Sequence, residues 1–250
     1  MIVEICANSF ESAFNAQQAG AHRIELCSEL AVGGITPSYG LIEQVMTSLM
    51  IPVFVLVRPR SGDFNYSDAE FKIIKKDIEL CKKLGCSGIV SGVLNRDNSV
   101  DALLTQELVE LTKPLPFVFH RAFDLVPDPI SALNELMEIG VQRVLTSGQE
   151  STALRGLELI QKLKSQAKNR ITILPGGGIN LENAIQFKEA DFNEIHCSLS
   201  TFHQHVIQPK ISMKSPVHFN EFGNSVSDYS KIKAIIKLLQ KSSFSRTLDE

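Results

Sequence analysis

The chain has 250 residues, 44% of them hydrophobic, with 25 basic against 28 acidic side chains and a net charge of −3. With aromatic residues at only 7% and no tryptophan, that balance excludes a broad basic face or a stacking platform for nucleic acid. No run approaches the ~18 apolar residues of a membrane helix, and the opening MIVEICANSF lacks the basic-then-apolar pattern of a secretory signal, so no membrane partner is expected.

In chain order, short apolar runs alternate with longer helical patterns. Strands are expected over Ile2 to Cys6, Arg23 to Leu26, Pro52 to Arg58, Gly88 to Ser91, Pro116 to His120, Arg143 to Thr146, Ile171 to Leu174 and Glu194 to Cys197. They are apolar on both faces, as parallel strands covered by helices must be. The helices between them carry start signals: Ser67-Asp68-Ala69-Glu70 reads as a capping box, and Asp128-Pro129 sets a cap oxygen before a first-turn proline. Gly20, Gly85 and Gly140 fit left-handed helix ends. Eight such units predict an α/β chain of (β/α)8 type, a TIM barrel, as a single domain over 1–250. An open doubly wound sheet is the alternative, and no G-x-G-x-x-G follows the first strand to support it. The stretch from Leu199 to Ser227 holds Pro209, Pro216 and Gly223 without periodicity. It reads as a long loop before a last helix over about Asp228 to Lys241.

In such a barrel the working residues sit at the C-terminal ends of the strands. Residues two apart share a face, so Glu4 pairs with Cys6 and Glu25 with Cys27 as parallel copies on neighbouring strands. A carboxylate facing a helix would be badly desolvated, which places both pairs inside the barrel. Arg58 and His120 end the third and fifth strands, and the eighth carries His196. Glu4, Glu25, Arg58, His120 and His196 are therefore the candidate catalytic groups: acids and bases beside a cation. A buried ion-pair network, with the cysteines as core fillers, is the alternative reading of the same residues. At the end of the seventh strand, Leu174-Pro175-Gly176-Gly177-Gly178-Ile179-Asn180 can turn backbone N–H groups toward an anion, with a helix expected to begin near Asn180. Thr146, Ser147 and Gly148 end the neighbouring strand and complete a candidate anion site with Gly176, Gly177 and Gly178.

Without a signal or membrane run the chain is expected to be cytoplasmic, and that reducing setting together with an odd count of five cysteines argues against a disulfide framework. Cys81 and Cys86 straddle a helix end away from the mouth, without zinc-type spacing. His203 and His205 form an H-x-H in the long loop, where solvated side chains are the rule.

RIELCSELAVGGITPS (Arg23 to Ser38), VRPRSGDFNYSDAE (Val57 to Glu70), FHRAFD (Phe119 to Asp124), RVLTSG (Arg143 to Gly148) and LPGGGI (Leu174 to Ile179) together resemble the copper homeostasis protein CutC family. The resemblance covers about Met1 to Cys197 and the final helix. It implies a cytosolic barrel associated with copper, often a homo-oligomer, in which the cysteines matching Cys6 and Cys27 ligate Cu(I). One departure stands out: a small residue and an arginine usually follow the eighth-strand H-x-S, whereas Leu199 and Ser200 follow here. From the residues alone, a second reading is an enzyme acting on a small phosphorylated or carboxylated metabolite. In it Glu4, Glu25 and His120 are acid/base groups and Arg58 an electrostatic clamp. A third is a scaffold that binds a small-molecule or anionic ligand without catalysis.

Overall fold

The computed structural model describes residues 1–204 and 223–240. Eight strands form one parallel sheet: β1 (Ile2–Ala7), β2 (Arg23–Leu26), β3 (Val53–Leu56), β4 (Gly88–Ser91), β5 (Phe117–Phe119), β6 (Arg143–Thr146), β7 (Thr172–Pro175) and β8 (Glu194–Cys197). Each neighbours the next in chain order, and β1 also pairs with β8, with Glu4 opposite His196. A single bridge between Gly176 and His196 joins β7 to β8 and brings the sheet to a (β/α)8 barrel.

The helices are α1 (Phe10–Gln18), α2 (Tyr39–Ser48), α3 (Asp68–Lys83), α4 (Ala102–Thr112), α5 (Pro129–Ile139), α6 (Leu157–Ala167), α7 (Ala184–Glu189) and α8 (Tyr229–Gln240). α3 shows how sequence builds them. Ser67 and Glu70 close the expected capping box, and Phe71, Ile74, Ile78 and Cys81, spaced three and four apart, bury one stripe. Each such apolar side chain contributes roughly 1.5–3 kcal/mol. Asp128 accepts from Ile130 and Ser131 N–H at the start of α5, and Gly140 ends it with φ +90°, where any Cβ would be strained.

Alternation along the strands makes two cores. Cys6, Cys27, Phe54, Leu56, Val90, Val118, Leu145 and Leu174 fill the barrel interior, whereas Ile5, Ile24, Val55, Ile89 and Phe117 face the helices. Cys81 and Cys86 belong to this outer core. Among the described residues, no helix is long and apolar enough to cross a membrane.

Two expectations need correction. The stretch expected as a loop from Leu199 carries β9 (Ser200–Gln204) and β10 (Gly223–Ser227), paired antiparallel, where the loop reading stood. The pairing survives without apolar alternation because β10 docks on the first unit: Ser227 N–H donates to Ser12 Oγ, and Asn8 and Asn15 donate to the Ser225 and Ser227 carbonyls. His203 lies in β9 and is exposed, while Pro209, Pro216 and His205 lie outside the described residues. Second, the helix expected near Asn180 begins at Ala184 and is only six residues long. Asn180 instead starts a turn in which its side chain accepts from Glu182 N–H and its own N–H donates to Asn183.

Candidate functional site

The lower barrel interior holds a ladder of charges. Arg23 on β2 bonds Glu4 of β1 on one side and Glu194 of β8 on the other, and Arg143 of β6 reaches Glu194 at 3.3 Å. The Phe54 ring lies between the two guanidiniums, at 5.4 and 5.3 Å. Residues two apart on β2 (Arg23, Glu25) and on β8 (Glu194, His196) project the same way, so this ladder leads up to the mouth.

Glu4 is its upper end. Its carboxylate also meets His196 Nδ1 at 2.7 Å. Burial works against its charge, but His196 and Arg23 overcome it and hold its pKa at about 2. Glu4 is thus held as an anion against Arg23 and His196. The two Glu-Cys copies are also not aligned. β1 and β2 are offset by two residues, so Glu4 faces Arg23 and Cys6 faces Glu25. The offset reflects the stagger that closing a barrel imposes on neighbouring strands.

Above this level the expected cysteines do meet: Cys6 Sγ and Cys27 Sγ are 3.7 Å apart. With Nδ1 of His196 engaged by Glu4, its Nε2 remains for the cavity side. One atom each from Cys6, Glu25 and His196 lie within 4.8 Å of one another. The shared contact with Cys27, then burial, pushes the Cys6 thiol well up. Burial raises Glu25 to about 7, and one of its oxygens has no hydrogen-bond partner. The His196 imidazole is pushed up too: burial opposes, and Glu25, Cys6 and Glu4 prevail.

A cavity of about 400 Å³ opens above these groups, lined by Cys6, Glu25, Arg58, His120, Arg121, Gly177, Gly178 and His196 among others. Arg58 and His120 lie just beyond the ends of β3 and β5. Arg58 is committed to the loops: its guanidinium donates to the carbonyls of Val32, Gly34 and Gly62 and lies 4.7 Å from the centre of the Phe64 ring. Gly34 has φ +87°, and a Cβ there would come within 2.6 Å of Leu56, so only glycine lets this loop lie across Cys27. His120 accepts from Ala122 N–H through Nδ1. Burial and nearby Arg58 lower its pKa to about 3, so the ring is neutral.

The anion site divides. Thr146 and Ser147 do bind a carboxylate, but it is the protein's own: Asp124 accepts from Thr146 Oγ1, Ser147 N–H and Ser147 Oγ. Gly148 N–H donates to Thr146 Oγ1. These donors are engaged within the protein itself. Gly176 bridges β7 to β8, while Gly177 and Gly178, with φ +117° and +70°, line the cavity rim. Arg23, Glu194 and Asp124 were not singled out from sequence. The usable signals were a charged pair two apart inside an apolar strand, twice, and the acid that ends Phe119 to Asp124.

The comparisons with known proteins bear on this geometry. A sequence model of the CutC family matches residues 1–201. The human copper homeostasis protein cutC homolog is 44% identical over 238 residues, covering 94% of this chain and 87% of its own. The crystal structure of a CutC protein from Streptococcus agalactiae superposes with a TM-score of 0.74 at 35% identity, over 79% of this chain and 98% of that one. Thiamine phosphate pyrophosphorylase from Pyrococcus furiosus shares the fold, with a TM-score of 0.59 at 14% identity and 95% of each chain covered.

Proposed function

This chain belongs to the CutC family, and on that premise we propose that it binds one Cu(I) ion at the floor of the mouth cavity, in the reducing cytoplasm, as its part in copper homeostasis. The observation that carries the reading is the 3.7 Å separation of the Cys6 and Cys27 sulfurs. Thiolates select soft ions such as Cu(I). Metal–sulfur bonds of ~2.3 Å spanning that gap meet at roughly 110°, so the ion is bent and has room for a third donor. His196 Nε2 is that donor. Glu4 holds the far side of the ring, the usual way a carboxylate orients a ligating histidine. All five cysteines are free and buried, which suits a reducing compartment. Cys6 lines the cavity and Cys27 is fully covered, so the ion meets Cys6 first.

The test is anaerobic Cu(I) titration against a chromophoric chelator. Wild type takes up about one equivalent per chain. Cys6→Ser and Cys27→Ser each lose it, and Cys81→Ser keeps it. Wild-type stoichiometry in either mouth variant, or equal loss in Cys81→Ser, refutes the assignment.

A further inference from the structure

Two features of the cavity are unused by a soft cation. The first is Arg58. It is 4% exposed, and among the described residues no carboxylate lies within ion-pair distance of it. Its guanidinium contacts are three backbone carbonyls and the Phe64 ring, and its Nε–H has no hydrogen-bond partner among the described residues. A buried cation without a counter-charge is costly, and a positive wall repels a metal ion.

The second is His120, 5% exposed. Because Nδ1 accepts from Ala122 N–H, the ring proton sits on Nε2, and Nε2 has no partner among the described residues. Phe64, with its ring centre 4.7 Å from that of His120, fixes the ring plane. An unsatisfied buried donor costs about 1–3 kcal/mol, and His120 lines the same cavity as Arg58. Across it, one Glu25 oxygen is also unpartnered. Leu30, Leu56, Phe64, Leu145 and Ile179 supply apolar walls. A volume of about 400 Å³ is far more than one ion fills and is within the range of small-molecule pockets.

We propose that the mouth cavity binds a small organic oxyanion, a carboxylate or phosphate ester, whose charge answers Arg58 and whose oxygen accepts from His120 Nε2–H. A hydroxyl on the same molecule would donate to Glu25. The apolar walls require a carbon body, which separates this site from one for a bare inorganic anion.

The experiment is calorimetric titration of reduced, copper-free protein with lactate, glycerol 3-phosphate and inorganic phosphate in turn. At least one organic anion should bind saturably, one per chain, and more tightly than inorganic phosphate; which one does so tells carboxylate from phosphate ester. His120→Ala should weaken it roughly ten- to hundred-fold. His120→Gln, whose amide keeps a donor, should recover most of that loss, which a merely structural role would not give. Circular dichroism and melting of both variants separate lost binding from lost folding. No saturable binding by any probe overturns the proposal. So does binding by inorganic phosphate as tight as by the tighter-binding organic anion, or undiminished binding by folded His120→Ala. Because copper is absent, this outcome and that of the Cu(I) titration stand independently.

Discussion

Replacing Glu4 with glutamine tests the link between the barrel's charge ladder and its thiol floor. Glu4 is 2% exposed and bonded to Arg23 and His196, so the variant leaves Arg23 short of one counter-ion and gives His196 a neutral acceptor in place of a carboxylate. The folded carboxyl titrates at about 2 against a normal 4.5. That difference corresponds to about 3 kcal/mol of stability at neutral pH. Because the folded pKa is depressed, this stability is present above pH ~4.5 and is lost as pH falls toward ~2, with about 2 kcal/mol of it gone by pH 3. Urea unfolding at pH 7 should therefore show Glu4→Gln less stable by about 3 kcal/mol, and the gap should narrow to about 1 kcal/mol at pH 3. The same change removes the carboxylate charge behind the His196 ring and should weaken Cu(I) binding by roughly 10- to 100-fold. A gap that stays constant from pH 7 to 3, or a variant within 0.5 kcal/mol of wild type at pH 7, would show that Glu4 is not the charged hub described above.

Other consequences follow from single contacts. Cu(I) must displace the proton of a Cys6 thiol whose pKa is raised, so apparent affinity should climb roughly ten-fold per pH unit for each proton released between pH 6 and 8; a flat profile would mean the thiolate pre-exists. Gly34→Ala forces a Cβ to within 2.6 Å of Leu56 at φ +87° and should lower stability by about 1–3 kcal/mol, so a melting temperature unchanged from wild type would contradict the close packing of this loop over Cys27. Asp124→Asn removes the charge that Thr146, Ser147 and Arg121 share, with an expected loss of about 2–3 kcal/mol in chemical unfolding. If that variant instead gains stability from added phosphate, the Thr146–Ser147 donors have been released to an external anion.

Arg58 and His120 qualify the copper reading without opposing it. The thiols and His196 come from β1, β2 and β8, whereas Arg58 and His120 follow β3 and β5. A metal and an organic anion therefore need not compete for the same atoms.

Features legible in the amino-acid order are local or periodic. Alternating apolar runs and helical stripes specify eight parallel units. The Ser67–Glu70 box and the Asp128-Pro129 start place two helix ends to the residue, because capping depends on atoms within three positions of each other. Inward placement of Glu4, Cys6, Glu25 and Cys27 also follows from the two-residue period of a strand. Tertiary structure decided whatever depends on how strands slide past one another. The two-residue offset between β1 and β2 sets Glu4 against Arg23 rather than Glu25, making one glutamate a fixed anion and leaving the other poised near 7. It also decided that Asp124, twenty-two residues before Thr146, fills the turn that looked ready for a ligand, and that Ser200–Gln204 finds its partner in Gly223–Ser227. The physical reason is the same in each case. Burial, and with it the charge state and free donors of a side chain, is set by neighbours distant in sequence, and barrel closure alone fixes which neighbours those are.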